Sequence, residues 1–557
     1  MSRIVIAGTC SHSGKTTIAC GLLEVLRYRG VNVSAYKTGP DYIDPQFLRR
    51  AGRCEAYNLD TWLMSEQKVT KLFTQTSRGT AIIEGAMGLY DGGIHSTAGI
   101  AKLLDAPVIL VMDARSLGES AGAVALGFRE YDRDVDLAGV ILNRVSSDYH
   151  VKIIADELSR LGIKCLGALR RDDGLVIPER HLGLNETAGY EGERLRAAVE
   201  AGIDVDEVMK IARRGRELKC ADERRSSGLV SAGRDDEAGR NDELVISEHH
   251  LCFEAESENA DCEAEKLRLT VEKARHEGLA VSGLNLGLEA EREDAGCEAE
   301  KLRCAVEPTP PMQSLGLEAE SGNAIYDAEK LPSAVNVAEL HAAPITHRPR
   351  LGRVRVGIAR DEAFTFFYPE SLGFLGELGA ELVYFSPLHD GRLPDAEGYI
   401  FGGGFPEMFA GELAGNASML ADVRDNVRPV LAECGGYMYL CRSLKDLEGR
   451  VYEMAGIIPA DAEMTGKPVL GYMEAQALHS NILCDEGMII RGHEFHYSRI
   501  VPEIPEELCA FSLTRRNTHT SHFGGYSRKN ILASYLHINF FGYPELAENF
   551  LSSCTYM

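Results

Sequence analysis

Apolar residues in this chain come in short runs, each stopped by glycine or by a polar residue, with longer helical patterns between them. Between residue 1 and about 215 the runs are RIVIAG, VNVSAYK, TAIIEGA, APVILVMD and LAGVILNR. That rhythm predicts a parallel sheet with helices on both faces. In such sheets ligands sit beyond the carboxyl ends of the strands, which is where the charged residues of these runs fall. The rhythm resumes at 353 with RVRVGIARDEAF and runs through AELVYFSP, AEGYIFGGGFPE, RPVLAECGGY and ASYLHINF, predicting a second α/β domain over 351–557.

The stretch 216–350 breaks the pattern. It is rich in Glu, Ala, Arg, Ser and Gly, and it repeats itself: CEAEKLRLTVE (262–272) returns as CEAEKLRCAVE (297–307), GLEAE (287–291) returns at 316–320, and AEKLPSAV (328–335) is a decayed third copy. Units of this kind lack the apolar positions that let solenoid neighbours bury a face. The expectation is a repeat-expanded, largely disordered linker carrying at most transient helices.

Length and charge narrow the function. A chain of 557 residues exceeds what one hydrophobic core serves, so two or more domains are expected. A net charge of −25 repels polyphosphate backbones, which disfavours a nucleic-acid partner. No segment has the length of a membrane span, and MSRIVIAGTC is too brief and wrongly flanked for a signal peptide. The 14 cysteines include no Cys-x-x-Cys pair, so they read as reduced thiols of a cytoplasmic protein and not as a disulfide frame or a structural zinc site.

Two stretches carry chemistry. The first, GTCSHSGKTT (8–17), lies between the first apolar run and a helical pattern. A tight loop opening a helix aims backbone N–H groups at one point, which suits phosphate; Gly8, Thr9, Ser13, Gly14 and Thr17 shape it, Lys15 reaches the outer phosphates and the Thr16 hydroxyl can ligate magnesium. Thr9 stands where the usual G-x-x-x-x-G-K-[ST] pattern has its first glycine. After the second run comes KTGPDYIDP (37–45) and after the third EGAMGLYDGG (84–93), so Lys37, Asp41, Asp44, Glu84 and Asp91 should crowd one sheet edge. A hard divalent cation bridging phosphates takes one or two carboxylates plus the loop hydroxyl, and Thr16, Asp41 and Glu84 are assigned to it. Asp44 and Asp91 also suit plain turns, as Asp-Pro and Asp-Gly.

With IPERHLGL (177–184), these motifs resemble the a,c-diamide synthases of tetrapyrrole cofactor biosynthesis, which act on cobyrinate or nickel-sirohydrochlorin. The ATP-binding half of that family is similar to dethiobiotin synthetase, whose loop also lacks the first glycine. The resemblance implies that Asn143 meets the adenine base, that Asp44, Tyr42 and Asp91 attend the acceptor carboxylate or its acyl phosphate, and that Arg180 and His181 lie near substrate or nucleotide.

The second stretch is RPVLAECGGYMYL (428–440), a buried strand running into a sharp turn and a helix with Cys434 at the turn. This is nucleophile-elbow geometry, and a helix N-terminus favours thiolate. His537 in ASYLHINF can take the proton, while Gly403, Gly404 and Gly435 can supply N–H donors to an oxyanion. A buried structural cysteine is the plainer alternative. The domain resembles class I glutamine amidotransferases of the branch fused to these synthases. In that class a glutamate commonly follows the histidine by two residues; here the position is Asn539, and the third member of the triad stays open. LGYMEA (470–475) and GHEFHYSRI (492–500) look like the branch's own signature, with His493 and His496 shaping the substrate cavity or domain interface and not holding a metal.

Together the stretches point to a ligase: ATP activates a carboxylate, glutamine supplies nitrogen, and magnesium assists. The partners are small molecules (a tetrapyrrole acid, L-glutamine, ATP), with no nucleic acid and no membrane; a homodimer is left open. The metal of the macrocycle, and so cobalamin or coenzyme F430 as the destination, is not readable from the motifs. Two rivals remain: a cobyric-acid-synthase-like enzyme amidating other side chains, and an ATPase switch of the chromosome-partitioning type with a decayed amidotransferase domain.

Overall fold

The short apolar runs do form strands. In the computed structural model, which describes residues 1–175, 190–215, 285–290, 302–307 and 353–555, the N-terminal runs become β1 (Ser2–Gly8), β2 (Val33–Thr38), β4 (Thr80–Glu84), β5 (Val108–Asp113) and β6 (Leu137–Val145). Two further strands, β3 (Ala56–Leu59) and β7 (Cys165–Arg170), lie at the sheet edges, in the order β3-β2-β4-β1-β5-β6-β7 with every pairing parallel. Successive side chains of a strand point to opposite faces. Accordingly Ile4 and Ile6 of the central β1 enter one core with Ile82 and Val111, while Val5 and Ala7 enter the other with Ile83 and Leu110. Both faces being covered, the strands read as continuous apolar runs.

In the insert, β8 (Asn285–Ala290) and β9 (Leu302–Glu307) pair antiparallel, so these two segments are strands where transient helices were expected. The first of them, NLGLEA, places Leu286, Leu288 and Ala290 at the two-residue period of a strand. The linker expectation for the rest of 216–350 lies outside the described residues.

The C-terminal region builds two sheets. β10 (Val354–Ala359), β11 (Ala380–Phe385), β12 (Gly398–Phe401) and β13 (Val430–Glu433) are parallel neighbours in the order β11-β10-β12-β13. The second sheet holds β14 (Cys441–Lys445), β15 (Val451–Glu453), the long β16 (Ile458–Ala477) and β17 (Ile489–Val501), with β18 (Phe511–Arg515) and β19 (Ser521–Gly524) branching from β16. β20 (Tyr526–Arg528) and β21 (Ile531–Ser534) complete the first sheet beside β13, and β22 (Leu536–His537) crosses to pair with β17. The signature stretches LGYMEA and GHEFHYSRI are therefore antiparallel partners, with Tyr472 opposite His493.

The N-terminal and C-terminal regions belong to one contact unit. Tyr42, Trp62 and Leu63 pack with Phe366 and Tyr368. Polar contacts reinforce this seam: the Trp62 indole N–H donates to the Gly492 carbonyl (3.2 Å), the Tyr472 hydroxyl to Asp60 Oδ2 (2.6 Å) and Lys68 Nζ to the Gly542 carbonyl (2.6 Å). No described helix is long and apolar enough to cross a membrane.

Candidate active site

The loop after β1 turns sharply because Gly14 adopts φ +96°, which opens helix α1 (Lys15–Tyr28). A Cβ at Gly14 would lie 1.9 Å from Asn143 Nδ2, and one at Gly8 would lie 2.3 Å from Ser13 Oγ, so both glycines are required by close approach. The loop is tied down from β6: Asn143 Nδ2 donates to the Ser13 carbonyl (3.0 Å), and Arg144 donates to the His12 carbonyl (2.7 Å) while pairing with Asp113 (2.8 Å). Thr9 N–H donates to the Val111 carbonyl (3.3 Å), and Thr17 sits half-buried in the first turn of α1. The Ser13 hydroxyl is buried without a partner, as a group facing a phosphate would be.

Beyond the loop, charges meet. Lys15 Nζ donates to the Cys10 carbonyl (3.2 Å); burial first, then the neighbouring Lys37, lowers its pKa. Lys37 Nζ donates to Asp44 Oδ2 (2.6 Å), Glu84 Oε1 (2.9 Å) and the Gly85 carbonyl (3.3 Å). Burial would depress its pKa, yet Asp44 and Glu84 together carry it upward, so this ammonium stays charged. The Thr16 hydroxyl donates to Glu84 Oε1 (2.6 Å), and Glu84 Oε2 is buried without a partner. An unsatisfied carboxylate oxygen beside the loop hydroxyl suits a magnesium ion.

The acidic residues of the two following loops divide. Asp44 joins Lys37 at the start of α2 (Asp44–Gly52), and Asp41 Oδ1 accepts from Ile43 N–H (2.9 Å) and Asp44 N–H (3.1 Å), shaping the same turn. Asp91 Oδ2 accepts from Gly88 N–H (2.8 Å) and closes its own turn. Tyr42 turns away from the charges. Its ring stacks on Phe366 (5.0 Å between centroids, 8°) and lies 4.9 Å from His537, on the thiol side of the seam. Arg180 and His181 lie outside the described residues.

At the second site β13 ends at Glu433 and the chain bends at Cys434, whose φ of 46° and ψ of −99° are strained for a residue with a side chain. The helix Gly435–Leu440 follows at once. Gly436 N–H donates to the Gly402 carbonyl (2.9 Å), and a Cβ at Gly435 would come within 3.1 Å of the Gly404 nitrogen. A Cβ at Gly403 would lie 2.6 Å from His537 Cε1, so the three glycines surround the thiol turn and the imidazole. The Cys434 thiol is buried and donates to the Phe495 carbonyl (3.5 Å), on a cavity of about 20 Å³ shared with Gly404, Glu407 and Tyr497. Burial, then Glu407, pushes its pKa up, overriding the short helix: the resting group is a neutral thiol, where the sequence suggested a thiolate. Attack by this group requires a base.

His537 is fully buried, with both ring nitrogens lacking a hydrogen-bond partner. Glu433 Oε2 lies 3.4 Å from its Nδ1. The ring stacks with His493 (5.2 Å, 28°), while His496 stacks on Tyr535 (3.7 Å, 7°). Asn539 Nδ2 donates to Glu370 Oε1 (2.9 Å) and so turns from the imidazole. Sequence reading missed Glu433, although a carboxylate closing an apolar strand one residue before the cysteine was its visible signal. It also missed Asp60 and Trp62, whose partners stand more than 400 positions away.

The CobQ/CobB/MinD/ParA nucleotide binding domain family matches residues 4–184, and the CobB/CobQ-like glutamine amidotransferase domain family matches residues 355–544. Among curated proteins, a cobyrinate a,c-diamide synthase of Dehalococcoides mccartyi strain CBDB1 is 34% identical over 99% of this chain and 97% of its own. Proteins of the same description from Caldanaerobacter subterraneus subsp. tengcongensis (33%, covering 100% and 99%) and Methanothermobacter thermautotrophicus (32%, covering 98% of each) are similar over the same extent.

Proposed function

Because the chain belongs to the cobyrinate a,c-diamide synthase family, we propose that it converts two peripheral carboxylates of a tetrapyrrole, a and c, to amides, using ATP and glutamine. The observation that carries this reading is one short stretch, 39–45, that holds Asp44 on Lys37 at the phosphate cradle and Tyr42 against His537 beside the thiol turn. Residues 1–215 would be the ATP-dependent synthase domain, 351–557 the glutaminase domain, and 216–350 a linker between them.

The chemistry needs both sites. Oxygen leaves a carboxylate badly, and free ammonia is mostly protonated at neutral pH. At the cradle, the acceptor carboxylate attacks the γ-phosphorus of ATP, ADP departs and an acyl phosphate forms. Phosphoryl transfer asks for positioning and charge stabilisation. Lys15 and Lys37 supply the cations, the N–H groups of 13–17 hold the phosphates, and Asn143 braces the loop next to the base. Asp44, released from Lys37 when phosphate takes that cation, would orient the acceptor. Bound by Thr16, Asp41 and Glu84, a magnesium ion would neutralise phosphate charge.

At the other site Cys434 Sγ attacks the side-chain amide carbon of glutamine as His537 takes the thiol proton. N–H groups of the glycine turns at 403, 404 and 435 receive the oxyanion. His537 passes the proton to nitrogen, ammonia leaves, and water hydrolyses the glutamyl thioester. Ammonia then attacks the acyl phosphate and phosphate departs.

The test is incubation with Mg-ATP, glutamine and either cobyrinate or nickel-sirohydrochlorin, followed by mass spectrometry. Two successive acid-to-amide changes are expected, and the macrocycle that gives them assigns the product to cobalamin or coenzyme F430 formation. Glutamine-indifferent ATP turnover with neither macrocycle changed would overturn the reading.

A further inference from the structure

We infer that Glu433 is the residue that positions His537, filling the place that Asn539 leaves open. This rests on the glutaminase reading above. A catalytic imidazole needs one nitrogen fixed so that the other faces the nucleophile, and a carboxylate on Nδ1 does this while stabilising the imidazolium that forms. The position two residues beyond His537 holds an amide, and that amide is engaged elsewhere: Asn539 Nδ2 donates to Glu370 Oε1 (2.9 Å) and its Oδ1 accepts from Gly542 N–H (2.8 Å).

Glu433 arrives from another direction. It ends β13, next to β21 in parallel register with Ser534, and the chain leaves β21 to reach His537 three residues later. Its Oε2 lies 3.4 Å from Nδ1, while Oε1 accepts from the Ile538 N–H (3.2 Å), so the carboxylate is anchored to the backbone of the residue directly after the histidine. Among the described residues no other carboxylate comes within ion-pair distance of this imidazole. Two residues adjacent in sequence, 433 and 434, thus serve the base and the nucleophile, and the strained turn at Cys434 sends their side chains to different tasks. The His493 ring stacked on His537 holds the plane of the imidazole but carries no charge to stabilise a cation, since burial, then His537, keeps its pKa well below the ordinary histidine value.

The full-length protein and its E433Q, E433D and E433A variants test this with Mg-ATP and a macrocycle that the wild type amidates. Glutamine hydrolysis should fall on the order of 100-fold in kcat for E433Q, with KM little changed, and recover in part for E433D. Ammonium-supported amidation, which bypasses the thiol, reports whether the variants fold and should persist. E433Q hydrolysing glutamine within 2-fold of wild type overturns the assignment, and so does a parallel fall in the ammonium route. A C434A variant that still cleaves glutamine would instead overturn the glutaminase reading itself.

Discussion

The two sites handle buried polarity in opposite ways. At the phosphate cradle the central charges are paired: Lys37 spans Asp44 and Glu84, and Thr16 shares the same Glu84 oxygen. At the thiol turn the groups are sparsely bonded, with a buried thiol pushed toward its neutral form, an imidazole lacking hydrogen bonds and the Glu494 carboxyl pushed up to about 7 by burial. On the proposed function, the internal ion pairs of the first site stand in for phosphate and metal, so binding exchanges one set of partners for another. On the same proposal, the second leaves its hydrogen-bond capacity to be met by glutamine. Ionic groups can be stored in pairs, whereas a nucleophile that must react is better stored uncharged and dry.

Four changes would break or sharpen that contrast. C434A should lower glutamine-supported amidation by about 10⁴-fold or more, because the covalent step has no substitute; product formation is read by mass spectrometry, and substantial residual activity would show that the neutral thiol is not the nucleophile. Lys37→Met should cost about 10³-fold in product formation with either nitrogen source, and about 3–5 kcal/mol of stability, since Glu84 and Asp44 lose their shared cation. Denaturant titration with an unchanged midpoint would contradict the paired-charge account.

G14A should weaken ATP binding by about 10-fold or more while leaving glutamine hydrolysis intact, as the added methyl meets Asn143 at a left-handed position; calorimetric titration checks it. The smallest effect concerns pH. Burial raises the Glu370 pKa from 4.5 to about 7. Between those values the folded protein holds a proton that the unfolded chain has released, so stability falls as pH rises through the window and levels off above it. The span corresponds to about 3 kcal/mol. Glu370→Gln, a neutral stand-in, should flatten that slope in denaturant midpoints taken from pH 5 to 8; an identical slope would mean that Glu370 is ionised in the fold.

Much of this was legible in the sequence because its signals are local. Gly14, Lys15 and Thr16 act within one strand, loop and helix, and Cys434 within one elbow, so a few neighbouring residues specify each. The parallel sheet followed from its apolar runs, but edge strands β3 and β7 did not: AYNL is only four residues long, and CLGALR is buried at only two of its six positions. The partnership of β16 and β17 was hidden since polar faces interrupt their apolar residues. Tyr42 misled because its neighbours Asp41 and Asp44 face the cradle while its own ring crosses the seam to Phe366. Glu433 escaped because its position before the cysteine names no partner, and its contact with His537 forms only through tertiary folding.

The ring of Tyr42 in its slot between Phe366 and His537 has a consequence for modularity. A glutaminase domain grafted here from a distant synthase would receive an aromatic wall shaped for a different histidine, and this domain transplanted elsewhere would leave that wall behind. Successful chimeras should therefore carry residues 39–45 together with the C-terminal half, splitting the chain by function and not by sequence order.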